Sequence, residues 1–199
     1  MAERPDRAFF TRPSHVVAHD MIGMILVGTE ANPVGGRIVE CEAYGDASDL
    51  ASHSAVYPKA RAHLLAGRPG TLYVYRSYGI HHCMNVLAHE EGTAGAVLIR
   101  ALEPLFGVDL IRARRGDHAE HRLLAGPGNV CQGLGIAMID NGRDLLDESL
   151  LIATLPGPAQ PVAQSARIGI TRDVERPWRF IDPTSKSLSG PKLPYRASI

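Results

Sequence analysis

The sequence predicts an α+β fold: a single domain built on a curved, largely antiparallel β-sheet, with helices around the sheet and one protruding β-hairpin. The chain has 199 residues, of which 45% are hydrophobic and 21% charged, an ordinary composition for one globular core. Its β-favouring segments follow one another too closely for the helical crossovers that parallel strands need. Helical patterns lie around the strand segments instead of alternating with them, which favours α+β over α/β.

The first predicted elements are a helix and a pair of strands. Residues 13–23 carry apolar side chains at helical spacing, with hydroxyl side chains near their start that can cap a helix. The segments 24–30 and 36–44 favour strands, and the proline and glycines at 33–36 predict a turn between them. A polar loop that contains histidines is expected over 45–70.

The second half of the sheet is predicted from the middle of the chain. Two β-favouring runs over 71–88, with a turn near Tyr78, predict a hairpin, and a further strand is expected at 96–104. Helices are predicted at 105–115 and 127–137, because apolar side chains return there at helical spacing. Short strands are expected at 150–155, 166–171 and 178–182. The sequence contains no internal repeat or heptad pattern.

The distribution of charge is more informative than its total. The formal net charge is zero, which is mild evidence against a nucleic-acid-binding protein. Residues 50–88, however, contain four lysines and arginines and no acidic residue, and seven basic residues stand against three acidic ones from position 167 onward. On their own, these two basic tracts are as compatible with solvated surface charge as with a phosphate-binding surface.

Cysteine usage and hydropathy favour a cytoplasmic protein. Three cysteines at wide spacing suggest neither a disulfide framework nor a metal site, and we expect them to be reduced and mostly buried. No apolar run approaches the roughly 18 to 20 residues of a membrane span, and the first residues are too charged for a secretory signal. We therefore expect no membrane association.

Candidate metal and nucleotide motifs are weak. The histidines at 15 and 19 have no companions at ligand spacing, His81 and Cys83 lack two further ligands, and no HExxH motif occurs. The glycine-rich stretch 126–135 lacks the third glycine and the βαβ context of a dinucleotide loop, so it is better interpreted as a helix start. We expect neither a metal nor an organic cofactor.

The segment GRIVECEAY (36–44) places two carboxylates on one face of a predicted strand. Alternation along the strand puts Glu40, Glu42 and Tyr44 on one face and Val39, Cys41 and Ala43 on the other. One interpretation is a solvated sheet face. The other is a carboxylate that acts as a general base beside an apolar pocket, with an aromatic ring nearby to stack on a planar ligand. This pattern alone leaves both open.

The predicted hairpin concentrates tyrosines in a chain that is only 6% aromatic. Tyr73, Tyr75 and Tyr78 flank Arg76, and aromatic rings with cations are how proteins hold unstacked bases. Core packing is an alternative explanation for Tyr73, since tyrosine favours strands. A bulky residue at a turn is harder to explain by packing, and Tyr78 is therefore a candidate wedge that enters a base stack.

Four blocks of the sequence resemble, in order, the motifs of the alkyladenine or 3-methyladenine DNA glycosylase family. They are GRIVECEAY (36–44), ASHS (51–54), GTLYVYRSYGIHHCMN (70–85) and LIRALEP (98–104), and the resemblance covers about 13–181. It implies a base excision repair enzyme, one glycosylase domain over 1–199. Such an enzyme flips alkylated or deaminated purines out of double-stranded DNA and hydrolyses the N-glycosidic bond with an activated water. The implied lesions are 3-methyladenine, 7-methylguanine, hypoxanthine and etheno-adenine, and a monomer is the default expectation.

The resemblance also implies roles for individual residues. Glu42 matches the general base, and Arg100 with the backbone carbonyl of Ile168 matches the groups that hold the attacking water. The residues that match those sandwiching or hydrogen-bonding the flipped base are Tyr44, His53 and Tyr75, with Asn85 at the pocket floor. Tyr78 matches the residue that fills the gap in the duplex, flanked by Ile80 and His81.

Several positions depart from the family pattern. Ala62 and the Leu65-Ala66 pair stand where many members carry asparagine and a Met-Phe pair, and Asn129 stands where many carry lysine. Ile80 and His81 replace the methionine and often tyrosine that can flank the wedge. These departures affect contacts to the DNA backbone more than the chemistry.

Two other classes of protein remain as alternatives. The motif blocks contain no lysine, which favours water over an amine nucleophile and hence a monofunctional enzyme without a lyase step. A non-catalytic damaged-DNA-binding module could use the same aromatic hairpin, and a nucleosidase or formyl transferase could use a similar sheet. Formation of abasic sites would separate the three.

Overall fold

The computed structural model describes residues 3–28, 32–147, 150–154, 157, 159–190 and 196–197. The helices of this part are α1 (Arg7–Phe10), α2 (Ser14–Asp20), α3 (His53–Val56), α4 (Ala62–Leu65), α5 (Val108–Arg115) and α6 (Pro127–Leu134). Two 3₁₀ turns lie at Glu120–Arg122 and Met138–Asp140.

One antiparallel sheet organises the fold. Its strands are β1 (Ile25–Gly28), β2 (Val34–Tyr44), β3 (Leu72–Ser77), β4 (His81–Leu87), β5 (Ala96–Phe106), β6 (Leu150–Ala153), β7 (Ala163–Ser165), β8 (Arg179–Ile181) and β9 (Arg196–Ala197). They are ordered β3-β4-β5-β2-β8-β7-β9, while β1 pairs with both β2 and β6. The predicted α+β fold, a single domain with a curved, mostly antiparallel sheet, is confirmed.

The long central strand β2 explains why the sheet curls. Its first residues pair with β1 on one side, and Glu40–Glu42 pair with β8 on that same side. Register shifts against β5 occur at Gly35/Gly36 and around Glu40, and such bulges bend a strand and increase its twist. At Gly35 and Gly36 a Cβ atom would lie about 2 Å from backbone oxygens of the neighbouring strands, so only glycine allows this close approach.

The core lies between the sheet and the helices that cover it. Helix α2 packs on β2, and α6 packs on β4 and β5. Helix α6 begins with Pro127 in its first turn. It is followed by Gly135, whose φ of +78° is a conformation that favours glycine. All three cysteines are buried and free of disulfide bonds, as expected. The described part contains no helix that is long and apolar enough to span a membrane.

Most predicted elements are present, with shorter bounds. The predicted helices at 13–23, 105–115 and 127–137 correspond to α2, α5 and α6, although β5 runs through Phe106 before α5 begins. The short strands predicted near 150 and 178 correspond to β6 and β8; residues 29, 30 and 155 lie outside the described part. The loop predicted at 45–70 contains the two short helices α3 and α4.

The strand predicted at 166–171 is wrong. The strand in this region is β7, which ends at Ser165, and the chain then turns away from the sheet. Gly169 has φ +76°, which an extended strand does not accommodate, and Arg167 is anchored to Asp49 instead of continuing the ladder. Apolar residues that favoured a strand here belong to a loop that faces the cavity described below.

The hairpin formed by β3 and β4 protrudes as predicted. Ser77 pairs with His81, and the N–H of Ile80 donates to the carbonyl of Ser77 at 3.1 Å. Tyr78 and Gly79 both have positive φ, +49° and +70°. Glycine adopts this conformation freely, but a tyrosine adopts it at a cost of about 1 kcal/mol or more.

Candidate active site

A cavity of about 320 Å³ opens between the hairpin, β5 and the 168–170 loop. Its lining combines tyrosines and a histidine with a few polar groups, as is usual for ligand sites. Seven of the ten candidate residues from the sequence line it: Tyr44, His53, Tyr75, Tyr78, Asn85, Arg100 and Ile168. The remaining three are Glu42, which lies behind the cavity wall, and Ile80 and His81, which lie on the hairpin outside the lining.

Glu42 is fully buried at the inner end of this cavity. The Oε1 atom of Glu42 accepts the N–H of Ile168 at 2.6 Å, and Oε2 accepts the hydroxyl of Tyr44 at 2.8 Å and Nη1 of Arg100 at 3.1 Å. All three partners line the cavity. A carboxylate can accept about four hydrogen bonds, so these three leave one acceptor position of Glu42 without a partner among the described residues. Ile168 thus reaches Glu42 through its N–H; its carbonyl as a water ligand stays a prediction.

The protonation equilibrium of Glu42 reflects opposing influences. Burial raises its pKa, because a low-dielectric site disfavours the charged carboxylate. Arg100, the Ile168 N–H and the Tyr44 hydroxyl oppose this shift, while Glu40 adds to it, and the net pKa is raised. A carboxylate with a raised pKa is a stronger base than an exposed one, which suits proton abstraction from water.

Arg100 and Tyr44 remain in their protonated forms beside this carboxylate. Burial alone would lower the pKa of Arg100, but Glu42 and Glu40 outweigh it and raise that pKa. Burial, and then the negative charge of Glu42, raise the pKa of Tyr44 well above its ordinary value. Tyr44 is therefore a hydrogen-bond donor to Glu42, a role in addition to its predicted stacking on a base.

The face of β2 that carries the carboxylates is buried, so the interpretation as a solvated sheet face is wrong. Cys41 and Ala43 lie in the main core as predicted, on the opposite face from the carboxylates. The prediction for Val39 is wrong: Val39 packs in a small separate cluster with Ala101 and Ile181, because the register shift next to it reverses the alternation.

The loop that carries Ile168 is fixed by a buried ion pair that sequence reasoning missed. Arg167 binds both carboxylate oxygens of Asp49, at 2.7 and 2.9 Å, and donates to the carbonyl of Ala43 at 3.0 Å. Its guanidinium also lies 4.8 Å from the ring centre of Tyr44. Burial opposes ionisation of Asp49, but hydrogen bonds from Arg167 and the N–H of Gly45 outweigh it and lower the pKa.

Aromatic side chains form the outer half of the cavity. His53 meets Tyr75 edge to face, with ring centres 4.5 Å apart, and its Nδ1 lies 3.0 Å from the hydroxyl of Tyr73 and 3.0 Å from Nη1 of Arg61. Arginine can only donate, and its contact to Nδ1 is shorter than its 3.4 Å contact to Nε2, so we assign Nδ1 as the acceptor and the ring proton to Nε2. Burial and the charge of Arg61 lower the pKa of His53 to about 4, which keeps the ring neutral at pH 7.

The sequence did not indicate how closely Arg61, Tyr57 and Tyr73 pack around His53 and Tyr75. Arg61 lies over the rings of Tyr57 and Tyr75, with distances of 4.7 and 5.3 Å to the ring centres. The sequence places Arg61 in the basic tract 50–88, for which both a phosphate contact and solvated surface charge were open. The tyrosines at 57, 73 and 75 were the sequence feature that could have indicated this packing. The sequence did not predict that α3 and α4 pack against β3, which brings Arg61 to these rings.

Asn85 is buried in β4 and lines the cavity. Its Nδ2 donates to the backbone carbonyl of Tyr73 at 3.0 Å. This contact fixes the plane of the side-chain amide. It is compatible both with a role in contacting a base and with a purely structural role between β3 and β4.

The hairpin tip lies at the mouth of the cavity. Tyr78 lines it and is 90% exposed, and Ile80 is 74% exposed. His81 lies further back, where its side chain contacts the start of α6 near Gly128. Tyr78 and Ile80 are therefore available to a partner at the tip.

Two of the family departures have structural counterparts. Leu65 is buried against Tyr73, Leu87 and Ala96, so it serves the core and not a surface contact. The Nδ2 of Asn129 donates to the carbonyl of Ala125 at 2.6 Å, which ties this amide to the start of its own helix. No group of three potential metal ligands occurs among the residues that the structure describes.

Comparison with family models matches residues 8–186 to methylpurine-DNA glycosylase. The chain belongs to the methylpurine-DNA glycosylase family. The family predicted from the four motif blocks is thereby confirmed, and the chain is an enzyme of the DNA glycosylase type that acts on DNA. The Glu42 cluster and the aromatic cavity are its candidate active site.

Individual relatives agree with this assignment. A protein from Nitrobacter winogradskyi is 45% identical over 185 residues, covering 93% of this chain and 86% of the relative. One from Bradyrhizobium diazoefficiens is also 45% identical, covering 93% and 90%. One from Methanoculleus marisnigri is 44% identical over 177 residues, covering 87% and 92%. All three carry 3-methyladenine DNA glycosylase as a provisional name.

Proposed function

We propose that this protein is a monofunctional methylpurine-DNA glycosylase. It flips alkylated or deaminated purines out of duplex DNA into the cavity and hydrolyses the N-glycosidic bond, leaving an abasic site. The observation that carries this proposal is the Glu42 carboxylate, buried behind an aromatic cavity and held by Arg100, Tyr44 and Ile168, which all line that cavity.

The outer half of the cavity fits a planar, unstacked base. Its volume of about 320 Å³ is at the lower end of the roughly 300–1,000 Å³ of small-ligand sites. Tyr75 and Tyr44 offer ring faces, and neutral His53 offers an Nε2–H that can donate to a purine acceptor. Asn85 lies at the inner wall. We propose that the accepted lesions are 3-methyladenine, 7-methylguanine, hypoxanthine and etheno-adenine.

The inner end of the cavity fits the hydrolytic step. Cleavage of a glycosidic bond passes through an oxocarbenium-like sugar, which a nearby carboxylate stabilises by its negative charge. Glu42 takes a proton from the water, the water oxygen bonds to the sugar C1′, and the bond electrons leave with the purine. Arg100 and the backbone of Ile168 orient that water.

Water, and not a lysine amine, is the proposed nucleophile. Lys59 and Lys186 do not line the cavity, and Lys192 lies outside the described residues. Without an amine at C1′ no Schiff base forms, so the product is an abasic site and not a nicked strand.

The partner is double-stranded DNA that contains a damaged purine, bound by the protein as a monomer. Tyr78 fills the gap that the flipped nucleotide leaves, which offsets part of the few kcal/mol that extrusion costs. Arg76 on the hairpin is exposed and available to phosphates. A chromosomal substrate implies action in the cytoplasm at the nucleoid of a bacterial cell, or in the nucleus of a eukaryotic one.

The test is excision from oligonucleotide duplexes that carry one defined lesion, with hot alkali to reveal abasic sites. We expect a strand break only after alkali, and none with Glu42→Gln. Binding without any break would indicate a non-catalytic damage-binding module, and a break without alkali would indicate a lyase step. Base release from free nucleosides but not from DNA would indicate a nucleosidase.

A further inference from the structure

We propose that Glu40 is a positioning residue for catalysis: it holds Arg100 in place and sets the charge balance around Glu42. This inference rests on the proposed function, in which Glu42 is the general base. Glu40 itself is fully buried, and of its partners among the described residues only Arg100 lines the cavity, whereas all three partners of Glu42 line it, so Glu40 reaches the cavity through Arg100.

Glu40 and Glu42 belong to one row of alternating charges, defined here as Glu42, Arg100, Glu40 and Arg179. The Nη1 of Arg100 lies 3.1 Å from Glu42, and its Nε lies 3.2 Å from Glu40. The Nε of Arg179 lies 2.6 Å from the same oxygen of Glu40. Two carboxylates and two guanidinium groups thus neutralise one another inside the protein, where an unpaired charge is costly.

The two carboxylates differ in how fully they are occupied. Glu40 accepts hydrogen bonds from Arg100, from Arg179 and from both the N–H and the hydroxyl of Ser189, the last two at 2.6 and 2.9 Å. Three of these donors lie on Oε1, and the N–H of Ser189 lies on Oε2. Glu40 thus accepts four hydrogen bonds and Glu42 accepts three, and only the partners of Glu42 all line the cavity.

This arrangement fixes the direction of Arg100. Because Glu40 and Ser189 hold Nε, the guanidinium plane cannot rotate away, and Nη1 stays directed at Glu42. If the guanidinium of Arg100 were free to rotate, it would hold neither Glu42 nor the attacking water at a fixed distance. A misplacement of about 1 Å in such a site can cost roughly 100-fold in rate.

Glu40 also affects the protonation of Glu42. The charged and titratable groups around Glu42 are Glu40, Cys41 and Tyr44 on β2, Arg100 on β5 and Arg167 in the loop. Of these, Glu40 raises the pKa of Glu42 and Arg100 lowers it. Removing the charge of Glu40 removes its repulsion of the Glu42 carboxylate, so the pKa of Glu42 falls.

The test is the pH dependence of single-turnover excision by Glu40→Gln. We expect the rate on the plateau to fall roughly tenfold or more, since a neutral amide holds Nε of Arg100 less tightly while Nη1 stays paired with Glu42. We also expect the acid limb of the profile to move to lower pH, because Glu42 then stays ionised in more acidic solution. A purely structural role would scale the whole profile without moving the limb, so a limb that coincides with that of the wild type overturns the proposal.

A second variant guards against a failure of Glu40→Gln to fold. Ser189→Ala removes one hydroxyl at a partly exposed position and makes Glu40 a stronger acceptor for Arg100. Arg100 is then drawn away from Glu42, and the acid limb should move to higher pH, opposite to Glu40→Gln. If Glu40→Gln cannot be obtained folded, a Ser189→Ala limb that coincides with the wild type overturns the proposal.

Asp182→Asn is the matched control, because Asp182 is an equally buried carboxylate paired with Arg37, outside this row. Its profile should superimpose on that of the wild type after scaling. Wild-type protein that releases no base, or Glu42→Gln that releases it as fast, would refute the proposed function itself. If the wild type releases the base and Glu42→Gln does not, but the acid limb of Glu40→Gln coincides with that of the wild type, only the role of Glu40 is refuted.

Discussion

The two ends of the cavity differ in burial and in how many contacts their side chains make within the protein. At the inner end, buried carboxylates and guanidinium groups bind one another, and nearly every acceptor position is occupied. At the outer end, Tyr78 is 90% exposed on a strained backbone with φ +49° and packs against little of the protein. The groups at the inner end thus hold one another within the protein, whereas the side chain of Tyr78 is exposed and available to a partner. This difference suggests that the inner end performs the chemistry and the tip performs the flipping.

The largest expected effect lies at the inner end. Glu42→Gln should bind lesion DNA with near-normal affinity but lose at least about 100-fold in single-turnover rate, the scale of a positioned base. Glu103→Gln, a more exposed carboxylate on β5, is the control and should retain the wild-type rate. Near-normal turnover by Glu42→Gln would remove the assignment of this residue as the base.

A smaller effect is expected at the tip, and it should depend on the substrate. Tyr78→Ala should lose roughly tenfold on duplex DNA, a part of the few kcal/mol of flipping, and much less on single strands, which present no gap to fill. Ile139→Ala changes a comparably exposed apolar residue outside the cavity and should alter neither rate. Equal losses on duplex and single strands would rule out the wedge role of Tyr78.

Salt dependence should separate two arginines near the cavity. Arg76 is exposed, and Arg76→Ala should weaken binding to damaged and undamaged duplexes alike and reduce the salt slope of affinity by about 1. Arg61 packs on Tyr57 and Tyr75, so Arg61→Ala should mainly weaken binding of the lesion. Affinities measured between about 50 and 200 mM salt test this distinction. A flat response of the wild type would exclude a phosphate-binding footprint.

The smallest expected change concerns the choice of base. Guanine carries an exocyclic amine at C2 that adenine and hypoxanthine lack, and a rigid side chain at that edge disfavours it by overlap. The same amine is present in 7-methylguanine, whose positively charged base leaves more readily and so offsets this penalty. Asn85 is held rigid by its bond to the Tyr73 carbonyl. Asn85→Ala should raise excision of guanine from G·T mispairs relative to hypoxanthine by a few-fold, since weak pairing lowers the flipping cost. An unchanged ratio would make Asn85 a structural residue of the strand pair.

The sequence predicted those parts of the molecule whose signal is local. Strand alternation brought Glu42 and Tyr44 to one face of β2, and turn chemistry put Tyr78 at a protruding tip. Both features depend on neighbours within a few residues. The motif blocks supplied the rest of the candidate list, and the fold brings most of it to one cavity.

The sequence did not predict contacts between distant segments. Ile168 is 126 positions from Glu42, and Ser189 is 149 positions from Glu40, so no periodicity links them. The bulge that turns Val39 to the other face depends on how β2 pairs with β5. The stacking of Arg61 required the fold of α3 and α4 onto β3. In each case tertiary pairing overrode a local pattern.

The division between a chemical inner end and a flipping tip is tested most directly by the fluorescence of etheno-adenine in a duplex, followed in real time after mixing. With Glu42→Gln we expect the full change in signal as the base leaves the stack and enters the cavity, and no release afterwards. With Tyr78→Ala we expect a much smaller change on binding, because fewer bases remain flipped. A full change with Tyr78→Ala, or its loss with Glu42→Gln, would contradict the account.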